Sequence, residues 1–160
     1  MTARIALRAL IFTVLVPGTV VGWAPYFWIA GPAHVATHWP PRIADAPALA
    51  GVAFGVLIYL VCAWRFATEG HGTPDPLAPP RKLVTGGMYR WTRNPMYVGI
   101  PIALVGEAWW LASPGIALYA AIIGVAFHLR VVMYEEPVLR RLFGAEFDTY
   151  CARVKRWGVV

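Results

Sequence analysis

The 160-residue sequence is poor in charged residues and in cysteine. Only 14% of its residues are charged, against about 25% in an ordinary soluble domain. Its 2 cysteines, Cys62 in an apolar run and Cys151 in a basic tail, lie in different environments, so we expect free thiols rather than a disulfide framework. The chain also lacks a zinc-type ligand cluster, a glycine-rich phosphate loop and a Gly-x-Ser-x-Gly motif. We therefore expect no metal site.

Hydrophobic residues, in contrast, make up 59% of the chain. They are gathered into runs near the roughly 20 residues that a helix needs to cross a bilayer. We predict an all-α integral membrane protein with four transmembrane helices in a single domain, residues 1–160. The predicted spans are residues 5–29, 48–66, 96–111 and 116–134. In the second span, Gly51 and Gly55 have the Gly-x-x-x-Gly spacing that permits close helix approach.

The segments outside these runs have their own signals. Prolines in the first loop, residues 31–47, argue against a regular helix there, and we interpret its His34 and His38 as interfacial residues. A turn signal at residues 113–115 joins the last two spans into a helical hairpin. Residues 135–160 have helical amphipathic spacing, interrupted by Gly144, and predict an interfacial helix that serves as a lid. We expect four residues of this tail at the anionic lipid surface: Arg153, Lys155, Arg156 and Trp157.

The formal net charge of +6 would suggest a nucleic-acid partner in a soluble protein. Here the cations lie beside apolar runs, so membrane topology explains them and we expect no nucleic-acid binding. Of the 14 Lys and Arg residues, Arg42 alone falls in the first loop. The positive-inside rule then places the N-terminus, the central loop and the tail in the cytoplasm. The short loops and small tail favour a prokaryotic inner membrane.

The central loop, residues 73–97, is the most informative segment. Four cations (Arg81, Lys82, Arg90 and Arg93) lie among aromatic residues, and Gly86-Gly87 allows a positive φ or a close approach. Such a loop, rich in donors, is typical of a binding site. The alternative is a basic loop that only fixes topology.

Glu135 and Glu136 follow the fourth span directly and lie on the cytoplasmic side with this loop. Carboxylates here can hold the ammonium of a ligand while the basic loop, including Arg93, holds its carboxylate. A zwitterionic, amino-acid-like cofactor fits that pair of charges. The alternative is a charged helix end that begins the tail.

Three charged or titratable residues inside the predicted spans are the candidate catalytic residues, because such groups are costly at membrane depth: Glu107, His128 and Arg130. Glu107 has three possible roles: it pairs with His128 or Arg130, it faces a cavity, or it belongs to a purely structural pair. For an acceptor that must lose a proton, the nearby bases are Glu107, His128 and Glu135.

The second half of the chain, from Thr73 onward, resembles the isoprenylcysteine carboxyl methyltransferase and phospholipid methyltransferase superfamily. That family has Gly-x-Tyr, then Arg-His-Pro-x-Tyr, a helical hairpin and Glu-Glu. This chain has Gly87-Met88-Tyr89, then Arg93-Asn94-Pro95-Met96-Tyr97, and later Glu135-Glu136 followed by Phe143-Gly144. The order and spacing of these pieces together carry the resemblance.

The resemblance implies a small membrane enzyme that uses S-adenosylmethionine without a Rossmann domain. It implies a cytoplasmic-side cofactor pocket, shielded by loops and the C-terminal segment. Carried over by position, the lining residues are Arg81, Lys82, Leu83, Val84, Gly87, Tyr89, Asn94, Pro95, Met96, Tyr97 and Glu136.

Two departures from the family pattern bear on the substrate. Asn94 stands where the family has His; it can hydrogen-bond but cannot titrate, so we assign it no role as a base. Val131 and Val132 stand where isoprenylcysteine enzymes have an arginine, which argues against an isoprenylcysteine carboxylate.

The functional hypothesis is methyl transfer from S-adenosylmethionine to a lipophilic small molecule, with a carboxylate, thiol or amine as acceptor, in contact with the lipid bilayer. Two alternatives remain: a non-enzymatic membrane protein whose basic loop binds anionic lipid, and a small transporter. The transporter is the weaker of the two, because no inverted repeat is visible.

Overall fold

The computed structural model describes residues 10–70 and 82–158, and these contain helices and no strands. The helices are α1 (Leu10–Ile29), α2 (Pro32–Thr37), α3 (Ala46–Glu69), α4 (Pro95–Trp110), α5 (Pro114–Arg130), α6 (Glu136–Phe143) and α7 (Ala145–Arg153). Short 3₁₀ turns occupy Ile43–Asp45 and Gly87–Arg90. The helical fold class predicted from the sequence is confirmed.

Three helical stretches in the described part of the chain are long and apolar enough to cross a membrane: Leu10–Ile29, Ile43–Glu69 and Pro114–Phe143. This is the architecture of an integral membrane protein. α4 has only 16 residues, which span about 24 Å of the roughly 30 Å hydrocarbon core. The count of four spans therefore stays a prediction.

α3 and α4 pack closely because glycines line their contact. A Cβ atom on Gly55 would lie 2.4 Å from the Gly99 carbonyl oxygen and 2.5 Å from the Ala103 nitrogen. One on Gly106 would lie 2.7 Å from the Ala48 carbonyl oxygen. The close approach predicted for Gly55 is confirmed, and its partner surface is α4.

α5 joins this pair through apolar side chains. Its Ala120 packs with Tyr59 of α3 and with Ile100 and Leu104 of α4 in one buried cluster. α4 ends at Trp110, and α5 begins at Pro114 after the Ser113 hydroxyl caps the Ile116 N–H at 3.4 Å. The core therefore lies among α3, α4 and α5. Packing in this core holds the N-terminal end of α4, at Pro95, in place.

Two boundaries differ from the sequence prediction. The first loop contains α2, because Pro32 occupies a first-turn position where its missing N–H costs nothing. The helix also continues past Tyr134, where the sequence predicts the end of the fourth span: a π turn at Val131–Glu135 links α5 to α6, and the Glu136 N–H bonds the Val131 carbonyl. The tail separates at Gly144, whose φ of +50° ends α6.

The glycine contact generates a test. We expect Gly55→Ala to lower the free energy of unfolding by about 1–3 kcal/mol, because the added methyl group overlaps backbone atoms of α4. Gly124→Ala is the matched control, since no atom outside its own stretch of α5 lies within 4 Å of its added methyl group. Thermal unfolding in detergent measures both. Equal melting temperatures for the two variants would contradict the contact.

Candidate functional site

The site is built around the carboxylate of Glu136, the first residue of α6, which is 8% exposed. The Arg156 guanidinium donates to both of its oxygens, from Nε to Oε1 at 2.7 Å and from Nη2 to Oε2 at 2.8 Å. Arg93 Nη2 lies 3.2 Å from Oε1. The central loop and the chain beyond α7 therefore meet on one carboxylate.

Backbone contacts hold this arrangement in place. The Arg93 N–H donates to the Lys155 carbonyl at 3.0 Å. The Arg156 carbonyl accepts from the Thr92 hydroxyl at 3.0 Å and from the Asn94 side-chain amide at 3.1 Å. Asn94 thus fastens the C-terminal segment to the loop, which a non-titrating amide can do.

The neighbouring Glu135 has a separate set of partners. The Tyr97 hydroxyl donates to Glu135 Oε1, and Arg130 Nε donates to the same oxygen at 3.1 Å. The Tyr97 ring packs on Phe127 with centroids 4.6 Å apart. The two adjacent glutamates therefore bind different side chains of the protein.

Tyr89 and Arg93 bring polar atoms to this region without a partner. The Tyr89 hydroxyl and Arg93 Nε are buried and have no hydrogen-bond partner among the described residues. Burial raises the pKa of the Tyr89 phenol well above its ordinary value, so the group is a neutral donor near pH 7. The Tyr150 hydroxyl holds the Tyr89 carbonyl at 2.6 Å, and Arg93 also donates to Cys151 Sγ. Unpaired buried donors of this kind suit a polar ligand.

The remaining cofactor-binding predictions fall in different places. Lys82 is exposed, whereas Leu83 and Val84 are buried in two separate apolar clusters. Pro95 is buried at the start of α4, and Met96 packs against the α3–α4 core. Arg81 lies outside the described residues.

Gly87 has a positive φ of +59°, as the glycine pair predicts. A Cβ atom there would lie 2.6 Å from Arg65 Nε. Arg65 in turn pairs with Glu69 at 2.7 Å. The close approach at Gly87 is therefore to the end of α3.

The structure separates the three candidate catalytic residues. Arg130 is at the site through Glu135. His128 Nδ1 accepts from Trp157 Nε1 at 3.0 Å. Glu107 lies ten residues beyond Tyr97 on α4, a rise of about 15 Å.

Of the three roles left open for Glu107, a pair with His128 or Arg130 is not observed among the described residues. Glu107 is 1% exposed and its hydrogen-bonding neighbour is Tyr26 of α1. Glu107 and Trp110 lie on the same face of α4, and this face is directed at α1. Trp110 packs on Tyr26 with ring centroids 6.2 Å apart. Glu107 therefore belongs to the far end of the helix bundle.

Sequence reasoning missed Arg156 and Trp157 as site residues and predicted them at the lipid surface. The Arg156 side chain bonds Glu136 and the Trp157 indole bonds His128, while their position at the lipid surface stays a prediction. Both lie beyond the end of α7 at Arg153, where no helical periodicity indicates a direction. The excess of cations over carboxylates near Glu136 was the available signal.

The Glu136 pairing can be measured by a double-mutant cycle. We expect Glu136→Gln and Arg156→Gln to be coupled more strongly than Asp148→Asn and Arg140→Gln, whose pair is about half exposed. Exposed pairs typically contribute about 0.2–1 kcal/mol, and removing one partner of a buried pair leaves a charge without compensation. Unfolding of the four single and two double variants gives both coupling energies. A coupling energy at Glu136 no larger than that at Asp148 would show that the buried ion pair stabilises the fold no more than an exposed one.

Comparison with known proteins places the sequence in a family. The family model described as phospholipid methyltransferase matches residues 43–146. Over 73 residues, the chain is 37% identical to protein-S-isoprenylcysteine O-methyltransferase B of Arabidopsis thaliana. It is 36% identical over 73 residues to a probable protein-S-isoprenylcysteine O-methyltransferase of Oryza sativa subsp. indica.

These matches cover 46% of this chain and only 37% and 38% of the two plant proteins. No solved structure shows significant similarity to the chain. The family-model match extends over well more than half of the 160 residues, and it includes the loop and both glutamates of the site. The resemblance seen in the sequence is confirmed, and the chain belongs to the phospholipid methyltransferase family.

Proposed function

We propose that this protein is a methyltransferase that uses S-adenosylmethionine to methylate a lipophilic acceptor in the membrane. The observation that carries the proposal is the Glu136 carboxylate held by Arg93 and Arg156 where the loop and the C-terminal segment meet. Family membership supports the methyl transfer. The names of the plant relatives support a lipophilic acceptor.

The residues present fit the amino-acid end of S-adenosylmethionine. Its ammonium requires an acceptor such as the Glu136 carboxylate, and its carboxylate requires donors such as Arg93 and Arg156. Arg93 Nε and the Tyr89 hydroxyl are buried donors with no partner among the described residues, so further bonds can form without breaking existing ones. When bound, this cofactor supplies a methyl group on a positively charged sulfur.

The contribution of the chain is then positioning and exclusion of water. The C-terminal segment covers Glu136, because the Arg156 carbonyl is bonded by Thr92 and Asn94. Side chains at this interface are mostly buried: those of Arg93 and Glu136 are 13% and 11% exposed. Lys82 and Arg90 of the same loop are exposed, so it is the burial of Arg93 against Glu136 that a loop serving only to attract anionic lipid does not explain.

An amine acceptor would also need a base, and Glu135 is the best placed of the three predicted. Glu107 lies about 15 Å along α4 from Tyr97. His128 Nδ1 accepts from an indole N–H, which can only donate, so the neutral ring carries its proton on Nε2. Glu135 is next to Glu136 and is oriented by Tyr97 and Arg130.

An apolar groove offers a place for the tail of the acceptor. It has a volume of about 200 Å³ and runs between α1, α3 and α4. Small residues form much of its wall, including Gly18, Gly22 and Gly55. Its α4 wall begins at Gly99, two residues beyond Tyr97. The groove lies on the face of α4 that meets α3, whereas Tyr97 faces Phe127 of α5.

We further propose the topology that the sequence predicts: four spans, with α4 and α5 as a hairpin, and both termini in the cytoplasm. The short α4 would then require local thinning of the bilayer. The prokaryotic inner membrane remains our prediction for location; the relatives named above are plant proteins.

Cofactor binding is the first test. We expect the full chain in detergent to bind S-adenosylhomocysteine, and Glu136→Gln to weaken that binding by about tenfold or more, because a charge-assisted hydrogen bond to the ammonium is lost. Asp148→Asn, which changes an exposed carboxylate of α7, should bind like the wild type. Isothermal titration calorimetry measures all three. If the wild type binds neither S-adenosylhomocysteine nor S-adenosylmethionine in detergent or in nanodiscs, the methyltransferase proposal fails.

The groove generates a second test. We expect Gly22→Leu to raise the KM for a lipophilic acceptor by several-fold, because the added side chain fills open space in the groove. Binding of S-adenosylhomocysteine should be unchanged. Gly124→Leu, also in open space but on α5, is the control. An unchanged KM in Gly22→Leu would remove the groove from the acceptor site.

A further inference from the structure

Two polar atoms at the far end of the helix bundle lack a hydrogen-bond partner. Glu107 Oε2 and Trp110 Nε1 are both buried, and neither forms a hydrogen bond with any of the described residues. The residues that carry them are 1% and 8% exposed. Buried polar atoms normally have a partner, so two unsatisfied atoms one helical turn apart indicate a ligand site.

The apolar groove between α1, α3 and α4 runs toward these two atoms. Its wall on α4 includes Ala103, and Glu107 and Trp110 follow four and seven residues later on the same face of that helix. Its wall on α1 includes Gly22. Tyr26, four residues further along α1, neighbours Glu107 and packs on Trp110. The unsatisfied atoms therefore lie beyond one end of the groove, with Glu107 about 6 Å along the helix axis from Ala103.

The groove has room for an apolar chain because α1 packs loosely along it. A Cβ atom on Gly22 would meet no atom within 4 Å, whereas one on Gly55 of α3 would lie 2.4 Å from the Gly99 carbonyl oxygen of α4. The groove has a volume of about 200 Å³. A chain that lies beside α1 can thus bring a polar end group to Glu107 and Trp110.

The chemistry of the two atoms narrows the end group. An indole N–H can only donate a hydrogen bond, whereas a carboxylate oxygen accepts one. An ammonium group would leave the Trp110 N–H without an acceptor, and a second carboxylate would repel Glu107. A hydroxyl group both donates and accepts, so it satisfies both atoms.

We propose that the groove binds a lipophilic alcohol, whose hydroxyl donates to Glu107 Oε2 and accepts from Trp110 Nε1 while its chain lies along Gly22 and Ala103. This binding does not depend on methyl transfer. One consequence rests on the proposed function: the hydroxyl lies about 15 Å along α4 from Tyr97, so the alcohol competes with the acceptor for the groove and is not itself methylated.

Photolabelling of the full chain in phosphatidylcholine nanodiscs tests the site, because these lipids carry no hydroxyl group. The probes are a dodecanol with a diazirine in the middle of its chain and the alkane that lacks the hydroxyl. Mass spectrometry measures labelling of the α1 and α4 residues that line the groove. We expect labelling by the alcohol to fall about tenfold in Glu107→Leu and in Trp110→Phe, each of which removes one hydrogen-bonding group. Labelling by the alkane should be unchanged.

Trp109→Phe is the matched control, because Trp109 is the neighbouring indole on α4 and is 66% exposed. It should label like the wild type with both probes. Thermal unfolding reports whether each variant is folded, and Trp110→Phe carries the test if Glu107→Leu is not. If the alcohol does not label the groove of the wild type, or labels the variants equally, the two atoms hold a buried water only and the proposal is overturned. A fall with both probes also overturns it, since the variants would then have closed the groove. Binding of S-adenosylhomocysteine to the wild type tests the cofactor proposal separately.

Discussion

The pairing of one carboxylate with two guanidinium groups determines the shape of the end of this protein at which the central loop meets the C-terminal segment. Glu136 is largely withdrawn from water, and burying an ionised carboxylate is costly unless it is paired and hydrogen-bonded. Arg93 brings the central loop to it, and Arg156 brings the C-terminal segment. Because the segment carrying Arg156 is also bonded through its backbone to Thr92 and Asn94, charge and chain path are fixed together. The proposed cofactor site exists only while these three segments meet.

Most of the helices could be predicted from the sequence, because an apolar run near bilayer length has few alternatives to a helix. α3, α4 and α5 lie within a few residues of the predicted spans. The errors come from residues that permit two structures. Pro32 starts a helix as readily as it ends one. The sequence Glu135-Glu136-Pro137 suggests the end of a helix, but the helix continues through it by a π turn.

The site was partly predictable for a different reason. Glu136, Arg93 and Asn94 lie in a pattern whose order and spacing are informative, and the structure brings them together. Arg156 was not predictable, because it follows the last helix and its direction depends on tertiary contacts. Glu107 shows the same limit inside a helix. Its burial could be expected, but which neighbouring helix it faces depends on packing, and that neighbour is α1.

The π turn at Val131–Glu135 sets the direction in which the residues of the C-terminal region face relative to α5. A π turn amounts to one residue added to a regular helix. Successive helical residues point about 100° apart, so the same residues in a regular α-helix without the π turn would rotate α6 and everything after it by about 100° relative to α5. Glu135 would then stand where Glu136 stands, and Arg156 would be carried away from both. The number of residues between the membrane helix and the tail is thus a constraint as strict as the identity of the charged residues themselves.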